Sequence, residues 1–461
     1  MLTRRAFLRM AGIQAAAAGA GGSALSTPAL ATAAPSTGKA DFTLRIATSS
    51  VELAPNVVIK TTTFNGTIPG PMIRVKEGTP VTIDVFNESS VDDLTHWHGL
   101  EIDALNDGAM EEGSRMNPAR TGMVRYTFVA SPSGSRWYHS HASAGMNTGA
   151  GGYSGQFGFF YIDGKSDSGA YDVEVFLAVH HWQPTVVVST SPRAGQQVVY
   201  KYASFNGRLG SASEPIRVRK GQRVRFHLLN ASATDAVTLA LPGHQFEVNA
   251  LDGNPVPNRK RVSTLTLGVA ERVDAVVEMD HPGVWALAST TDSERAMGLS
   301  VPIEYAGYGG PAVWRDPESI DWSYANFADS DTRTYAPDRT VPMVFSVVRA
   351  SDGGMDRWTV NGKSFPDNPV LTIQEGKRYR LALLNASTEA HPMHLHRHRF
   401  EITSIAGQPM SGLIKDTVNV EPWKKVEIDF VANNPGRSLF HCHQQLHMDC
   451  GLMQLIDYSK S

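Results

Sequence analysis

Residues 440–447 read Phe-His-Cys-His-Gln-Gln-Leu-His, and the interpretation of both fold and chemistry starts from this stretch. Cys442 is one of only two cysteines in the chain, and His447 follows it by five residues. A thiolate and two imidazoles are the ligands of a mononuclear blue-copper site. Neighbouring side chains on a strand point to opposite faces, so His441 and His443 point away from Cys442. The stretch therefore predicts one copper bound through Cys442 and a second copper site behind it.

The length and composition indicate a folded chain of several domains. It has 461 residues, a net charge of −3 and 19% charged residues without a basic or acidic block. This length allows about two to four domains, and nothing in the charge pattern suggests nucleic acid or a membrane surface as a partner. If Cys442 binds a metal, Cys450 has no partner, so we expect no disulfide. We also expect a monomer.

The N-terminus is typical of an export signal. Arg4 and Arg5 are paired, residues 11–22 are rich in Ala and Gly, and residues 29–33 offer cleavage sites between small residues. Residues 1–38 therefore predict a twin-arginine signal and a periplasmic location, with a Sec-type signal as the alternative. No other stretch approaches the ~20 apolar residues of a membrane span, so we expect no stable membrane insertion.

A long internal repeat organises the rest of the chain. Three copies share an Asn-Gly pair, an alternating strand pattern, a second Gly and, nine residues later, an Asn. The closing residues Asn87, Asn230 and Asn385 are 143 and 155 residues apart, a period that suits tandem domains. Period-two alternation with Gly-containing turns predicts strands. The predicted fold is all-β, with three Greek-key β-sandwich domains at residues 41–165, 166–310 and 335–461.

The repeat also aligns eight histidines. Nine and eleven residues after the closing Asn, the first and third copies each have a His-x-His pair, and a second pair follows five and seven residues after a late Gly. The eight are His96, His98, His139, His141, His394, His396, His441 and His443. The middle copy has Leu239, Leu241, Ala288 and Thr290 at these places. Histidines two apart share a strand face, so the pairs predict an eight-imidazole cage between two domains, enough ligands for about three metal ions.

The third copy alone contains the set for a mononuclear site. His391, Cys442 and His447 occupy positions where the first copy has Asp93, Ser140 and Gly145. The thiolate site is therefore expected once. The remaining histidines follow no repeat-equivalent pattern and are expected to have structural roles: His180, His181, His227, His244, His281 and His398.

Taken together, the motifs at residues 96–99, 139–141, 391–396 and 441–447 resemble those of the multicopper oxidases, specifically the three-domain laccase-like enzymes of bacteria. The resemblance covers the mature chain and implies three cupredoxin-like domains, with the third packed on the first. It implies four copper ions, with the type 1 ion held by His391, Cys442 and His447 and the type 2 ion by His96 and His394. The type 3 pair would be held by His98, His139, His141, His396, His441 and His443. Electrons would pass through Cys442 to His441 and His443, and O2 would become water.

Two features depart from the family pattern. Leu452 occupies the axial position of the type 1 site, and Met453 lies one residue too late, which would point it the other way on an extended segment. We therefore predict an axial position without a ligand and a relatively high reduction potential; an irregular loop would instead let Met453 reach the metal.

Asp107 matches the family's proton-donating carboxylate. For a second donor, Met448 occupies the place where many relatives have a Glu, and Asp449 is the nearest candidate.

The predicted function is the oxidation of a small donor, a phenol or aromatic amine, coupled to reduction of O2. The alternative is a metal oxidase for Cu(I), Mn(II) or Fe(II). The chain has no Met-rich tract of the kind that binds Cu(I), and only Glu389 and Asp449 are acidic near the type 1 histidines. A copper-free envelope scaffold is a third reading, but such proteins have lost the ligand histidines.

Overall fold

The computed structural model describes residues 38–164, 171–188, 195–331, 335–350 and 354–459. Strand accounts for about 49% of the structure and helix for 6%, which confirms the all-β prediction. Most of the predicted export signal, residues 1–37, lies outside the described residues. Within them, no helix has the length and apolar character needed to cross a membrane.

The sheets fall into three successive groups along the chain. The first group comprises β1 Phe42–Ala54, β2 Val57–Phe64, β3 Ile73–Lys76, β4 Pro80–Asn87, β5 Thr95–His98, β6 Gly122–Val129, β7 Gly134–Ser140 and β8 Phe157–Asp163. The second comprises β9 Val173–Trp182, β10 Thr185–Val188, β11 Gln196–Val199, β12 Tyr202–Phe205, β13 Ile216–Val218, β14 Arg223–Asn230, β15 Val237–Ala240, β16 Phe246–Leu251, β17 Asn254–Pro255, β18 Arg261–Val262, β19 Thr264–Leu267, β20 Arg272–Glu278, β21 Val284–Ser289 and β22 Ser300–Tyr305. The third comprises β23 Arg339–Val348, β24 Arg357–Val360, β25 Leu371–Ile373, β26 Arg378–Asn385, β27 His391–Leu395, β28 Phe400–Ile405, β29 Gln408–Pro409, β30 Ile414–Lys415, β31 Thr417–Val420, β32 Lys425–Val431, β33 Ser438–Cys442 and β34 Met453–Tyr458. The described part of the chain also contains two short α-helices, α1 Asp292–Met297 and α2 Gln445–Asp449.

The three groups share one topology. One sheet of each group begins with the orders β2-β1-β4-β6, β12-β9-β14-β20 and β24-β23-β26-β32. The other sheets have the orders β3-β8-β7-β5, β13-β22-β21-β15-β19 and β25-β34-β33-β27-β31. Neighbours in these sheets are mostly not consecutive in sequence, as in a Greek key. The repeat seen in the sequence is therefore a repeat of sandwich architecture.

The shared Asn-Gly pairs form the turns that end β2, β12 and β24. Asn65, Asn206 and Asn361 have φ values of 55°, 48° and 52°, and each following Gly is also left-handed. Positive φ at both central residues is the requirement of a type I′ turn, which Asn-Gly meets at low cost. The closing asparagines have another role: each buried side chain hydrogen-bonds the loop that leads to the next strand of the facing sheet.

The hydrophobic core is continuous between the second and third groups, and it encloses the buried side chains of Cys442 and Leu452. The first group has its own core around Trp97 and Tyr126. A third cluster, which includes Trp137 and Trp182, joins the first group to the second. The strands that carry the aligned histidines are thus fixed by packing on both sides.

Candidate metal centre

Four strand segments bring the eight aligned histidines together. Strand β5 pairs with β7 so that His96 lies opposite His139, and β27 pairs with β33 so that His394 lies opposite His441. Opposed residues in antiparallel strands share a face. The two halves of the cage meet through stacked rings, and the ring centroids of His96 and His396 are 4.0 Å apart.

A second stacked pair, His98 and His394, has centroids 3.7 Å apart, so each half of the cage contributes to both stacks. Ligand atoms of three sets lie within 4.8 Å of one another. The sets are His96, His98 and His394; His98, His139 and His443; and His141, His396 and His441. The last two sets match the six residues expected to hold a type 3 pair, and the first contains both residues expected at the type 2 ion.

The rings are anchored on their outer nitrogens. Main-chain carbonyls of Asp107, Ser140, Asp416 and Cys442 accept hydrogen bonds from the Nδ1 atoms of His96, His139, His394 and His441 at 2.7–3.0 Å. Six inner nitrogens are buried without a hydrogen-bond partner among the described residues: His96 Nε2, His98 Nδ1, His139 Nε2, His141 Nε2, His394 Nε2 and His443 Nε2. Buried polar atoms are normally paired, so these orphaned lone pairs fit bound metal ions.

The protonation state of the rings also fits metal binding. Burial, followed by repulsion from neighbouring imidazoles, holds the pKa of six cage histidines well below the usual value: His98, His139, His141, His394, His441 and His443. The same causes lower the pKa of His396 to about 4. Neutral imidazole is the form that coordinates a metal.

Two buried carboxyl groups from the first group of strands, Asp107 and Glu112, contact the cage. Asp107 Oδ2 accepts a hydrogen bond from His396 Nδ1 at 2.7 Å and lies 3.3 Å from His96 Nδ1. Glu112 Oε1 lies 3.3 Å from the same His396 nitrogen and accepts from the main-chain N–H of Leu439. Burial and the charge of Asp107 raise the pKa of Glu112, whereas His96 and His396 outweigh burial and lower the pKa of Asp107. Sequence reasoning missed Glu112, and its only signal was its place five residues after Asp107.

The mononuclear set converges as expected. Cys442 Sγ lies 3.7 Å from His391 Nδ1 and 3.5 Å from His447 Nδ1, and these nitrogens are 3.1 Å apart. The outer nitrogens are anchored, since His391 Nε2 lies 2.9 Å from Ser387 Oγ and His447 Nε2 lies 3.0 Å from Glu389 Oε2. Such outer contacts fix the ring orientation of ligand histidines.

Burial raises the pKa of the Cys442 thiol, because its apolar surroundings oppose a charged thiolate. A coordinated metal ion removes that penalty by deprotonating the thiol. The Trp358 ring lies over His447, with centroids 4.0 Å apart, and shields the site. This donor set of one sulfur and two imidazoles fits copper.

Leu452, the residue expected at the axial position, is hydrogen-bonded to Cys442. Its side chain is fully buried in the same core as Cys442, and its carbonyl accepts a hydrogen bond from Cys442 N–H. Met453 pairs across β33 and β34 with His441, which puts its side chain on the His441 face and away from Cys442. The strand register therefore agrees with a leucine, and not a methionine, beside the Cys442 site.

In the first group, the position equivalent to the Cys442 site contains the side chains of Asp93, Ser140 and Gln156. Asp93 Oδ2 accepts hydrogen bonds from Ser140 Oγ at 2.7 Å and Gln156 Nε2 at 3.0 Å. Burial raises the pKa of Asp93 to about 7. Serine in place of cysteine leaves no thiolate here, in agreement with a single mononuclear site.

Asp449 lies in α2, at the interface with the loop that follows β7. Its carboxylate accepts hydrogen bonds from Ser143 Oγ and from the main-chain N–H groups of Ala144 and Gly145 at 2.8–3.0 Å. Gln445 Nε2 also donates to it, and Gln445 lines a cavity with His141, His441, His443 and Met448. Asp449 thus reaches the cavity wall only through Gln445, and a role as proton donor remains a prediction.

The cysteines and two of the remaining histidines have the surroundings that the sequence predicts. Cys442 and Cys450 are both free thiols, in agreement with the expectation of no disulfide. His227 is bound between Asp274 and Glu174, and His244 contacts Pro242 O and Tyr305 Oη. These are protein-only contacts of the structural kind expected.

Comparisons with known proteins find similarity to multicopper oxidases and laccases. Three family models, each described as multicopper oxidase, match residues 45–167, 179–306 and 338–460. The chain is 28% identical to multicopper oxidase MmcO of Mycobacterium tuberculosis, covering 87% of this chain and 84% of that protein. It is 25% identical to Laccase-2 of Podospora anserina, over 89% and 77% of the two chains. The structure of Fet3p, a multicopper oxidase that functions in iron import, superposes with a TM-score of 0.79 at 19% identity, over 91% of this chain and 90% of that chain.

Proposed function

The chain belongs to the multicopper oxidase family and is an oxidoreductase that uses oxygen, and from this premise we propose that it oxidises phenols or aromatic amines in a laccase-like reaction. Four one-electron oxidations supply the electrons that, with four protons, convert O2 to two molecules of water. The proposal rests on one observation, which is that the chain forms both a site of one cysteine and two histidines and a cage of eight imidazoles. Inner nitrogens of that cage have no protein partner among the described residues.

The ligand roles follow the geometric sets. His391, Cys442 and His447 hold the type 1 ion, and His96 and His394 hold the type 2 ion. The type 3 pair is held by His98, His139, His141, His396, His441 and His443. Bound copper supplies one-electron redox chemistry at the first site and a multi-electron site for O2 at the second. The peptide from Cys442 to His441 and His443 is the shortest covalent connection between them.

Asp107 is proposed to deliver protons to the cage. Its carboxyl group contacts one ring of each cage half, His96 and His396, and it is fully buried. Because the two rings hold the pKa of Asp107 low, its carboxylate would act as a relay that takes a proton from the neighbouring Glu112, whose pKa is raised, and passes it towards the cage.

An electron donor is proposed to approach the Cys442 site at Glu389. Its side chain is 27% exposed, and it bonds the Nε2 atom of His447. Arg349 lies 3.5 Å from the same carboxylate and pairs more closely with Asp356. A carboxylate whose charge is partly balanced by an arginine suits an organic electron donor whose O–H or N–H group can donate a hydrogen bond to it.

The second candidate, oxidation of Fe(II) or Mn(II), is favoured by the same Glu389, because carboxylate oxygens suit hard divalent ions. It is weaker because Arg349 neutralises Glu389 and because Asp449 bonds the loop at residues 143–145. For Cu(I), the sequence has no Met-rich tract to recruit the ion. The copper-free scaffold is disfavoured by the complete ligand set.

A donor panel tests the proposal. Oxygen uptake by the copper-loaded protein is measured with phenols, aromatic amines, Fe(II), Mn(II) and Cu(I). Phenols and amines are expected to give the largest kcat/KM, and a protein oxidising only metal ions would overturn the laccase-like assignment. Glu389→Gln is expected to raise KM for phenols, whereas Glu427→Gln, which removes an ion pair with Lys425, serves as the control.

Export is the remaining part of the proposal. The paired Arg4 and Arg5 and the small-residue sites near residue 30 support twin-arginine export to the periplasm as a folded monomer. Replacing both arginines by lysine is expected to leave the protein in the cytoplasm, and size-exclusion chromatography tests the monomer. Periplasmic accumulation of the double variant would indicate a Sec-type signal.

A further inference from the structure

Asp416 connects the two halves of the imidazole cage. It lies between β30 and β31 and is 1% exposed. Its Oδ1 atom is 3.1 Å from His98 Nε2, and its main-chain carbonyl accepts from His394 Nδ1 at 2.8 Å. The Thr417 hydroxyl, 3.2 Å from His98 Nε2, donates to the same carboxylate. One residue thus touches a ring from each half, and these two rings stack at 3.7 Å.

Two buried arginines clamp the Asp416 carboxylate. Arg272, from β20 in the group without ligand histidines, binds both oxygens through Nη1 at 2.8 Å and Nη2 at 2.5 Å. Arg136, from β7, lies 3.4 Å from Oδ2. Both guanidinium groups are fully buried. Bidentate Arg–carboxylate pairs fix geometry as well as charge.

The clamp determines which nitrogen of His98 is free. A carboxyl group held by both arms of the Arg272 guanidinium is a carboxylate, which accepts hydrogen bonds only. His98 must then donate from Nε2 and keep its lone pair on Nδ1, the nitrogen without a partner in the described part of the chain. In the same way His394 donates from Nδ1 and keeps its lone pair on Nε2.

The group without ligands also holds the backbone around Asp416. Asp252, after β16, accepts from the main-chain N–H groups of Asp416 and Thr417 through Oδ2 at 3.3 and 3.1 Å. It also pairs with the buried amine of Lys415 at 2.9 Å. The middle part of the chain therefore contacts both the side chain and the backbone of the segment that orients His98 and His394.

We propose that Arg272, from the part of the chain that supplies no ligand, is a positioning residue for the copper cluster and orients His98 and His394 through Asp416. This inference rests on the proposed role of the eight histidines as copper ligands. It assigns the middle domain a direct part in shaping the cage, in addition to its part in the fold.

The test uses the full-length, copper-loaded protein and the variants Arg272→Lys and Arg272→Met. Lysine keeps the charge but loses the planar fork, and methionine loses both. Copper per chain, the blue absorption of the Cys442 site and the EPR signal of the non-blue copper are measured with the unfolding midpoint. The control is Arg380→Met, which removes a bidentate Arg–carboxylate pair with Asp429 between β26 and β32.

Both Arg272 variants are expected to weaken copper binding in the cage by about 10–100-fold, the usual effect of losing an outer contact of a ligand, and to change the non-blue EPR signal. The blue absorption should remain. Arg380→Met should lower the unfolding midpoint with an unchanged EPR signal. If Arg272→Met does not fold, the copper affinity and EPR signal of Arg272→Lys alone test the inference.

A folded Arg272→Lys protein with wild-type copper content and EPR signal would overturn the inference and leave Arg272 a stabilising residue only. Failure of the proposed function has a different signature, because the wild-type protein itself would then lack the cage coppers.

Discussion

Substituting Asn385 by Ala should lower both the stability of the fold and the affinity of the type 1 copper site. The side chain is fully buried and makes four hydrogen bonds: Nδ2 donates to the carbonyls of Glu389 and Val420, and Oδ1 accepts from the N–H and the hydroxyl of Ser387. At about 1 kcal/mol for each bond, their loss should lower the free energy of unfolding by about 4 kcal/mol. The same loop presents Ser387 to His391 and Glu389 to His447. The variant should therefore also bind type 1 copper about 10–100-fold more weakly.

The matched control is Asn230→Ala, the equivalent residue of the middle copy. Its buried side chain donates to the carbonyls of Asp235 and Leu267 and accepts from Ser232 N–H. These three bonds predict a loss of about 3 kcal/mol without a ligand nearby. Urea unfolding gives the stabilities, and titration with a copper chelator followed by the blue absorption gives the affinities. Equal bleaching of both variants, or an Asn385→Ala protein that keeps wild-type copper affinity, would show that the loop does not hold the type 1 ligands.

Three further outcomes are expected. Cys442→Ser should abolish the blue absorption while the cage coppers remain by metal analysis; loss of all copper would contradict two separate sites. Leu452→Met should lower the type 1 reduction potential in a redox titration of the blue band, because a thioether stabilises the oxidised ion, and an unchanged or higher potential would count against an axial leucine. His227 is buried, which by itself lowers its pKa, but Asp274 and Glu174 raise that pKa above the usual value. Its contribution to stability is thus full below about pH 6.5 and falls as pH rises through the folded-state pKa. His227→Gln should remove this decline from urea unfolding measured between about pH 6 and 9, and a decline that persists would assign it to other groups.

The convergence of the eight aligned histidines was predictable because the fold repeats. Equivalent positions in the first and third copies carry histidines, and strand periodicity fixes which of them share a face. The difference between Cys442 and Ser140 could likewise be read by alignment, and the structure fills the Ser140 place with Asp93 and Gln156. Local pattern and repeat spacing were sufficient for this part of the site.

The residues around the ligands were not predictable in the same way. Arg272 and Asp416 are 144 residues apart and meet only because separate domains pack together. Glu112 contacts His396 across a similar interface, although the two are far apart in sequence. No periodicity reports contacts of this kind. Asp449 is near His447 in sequence, but the helical turn of α2 directs its carboxylate to the loop at residues 143–145.

The proposed oxidase chemistry and the proposed role of Arg272 both depend on one property of the chain, which is that it builds one copper site around Cys442 and one cage for three further ions. Metal analysis combined with EPR and visible absorption of the purified, copper-loaded protein measures this property directly. We expect four coppers per chain, of which one is blue, one gives a non-blue EPR signal and two are EPR-silent as an oxidised pair. A protein that binds one copper or none per chain would contradict it.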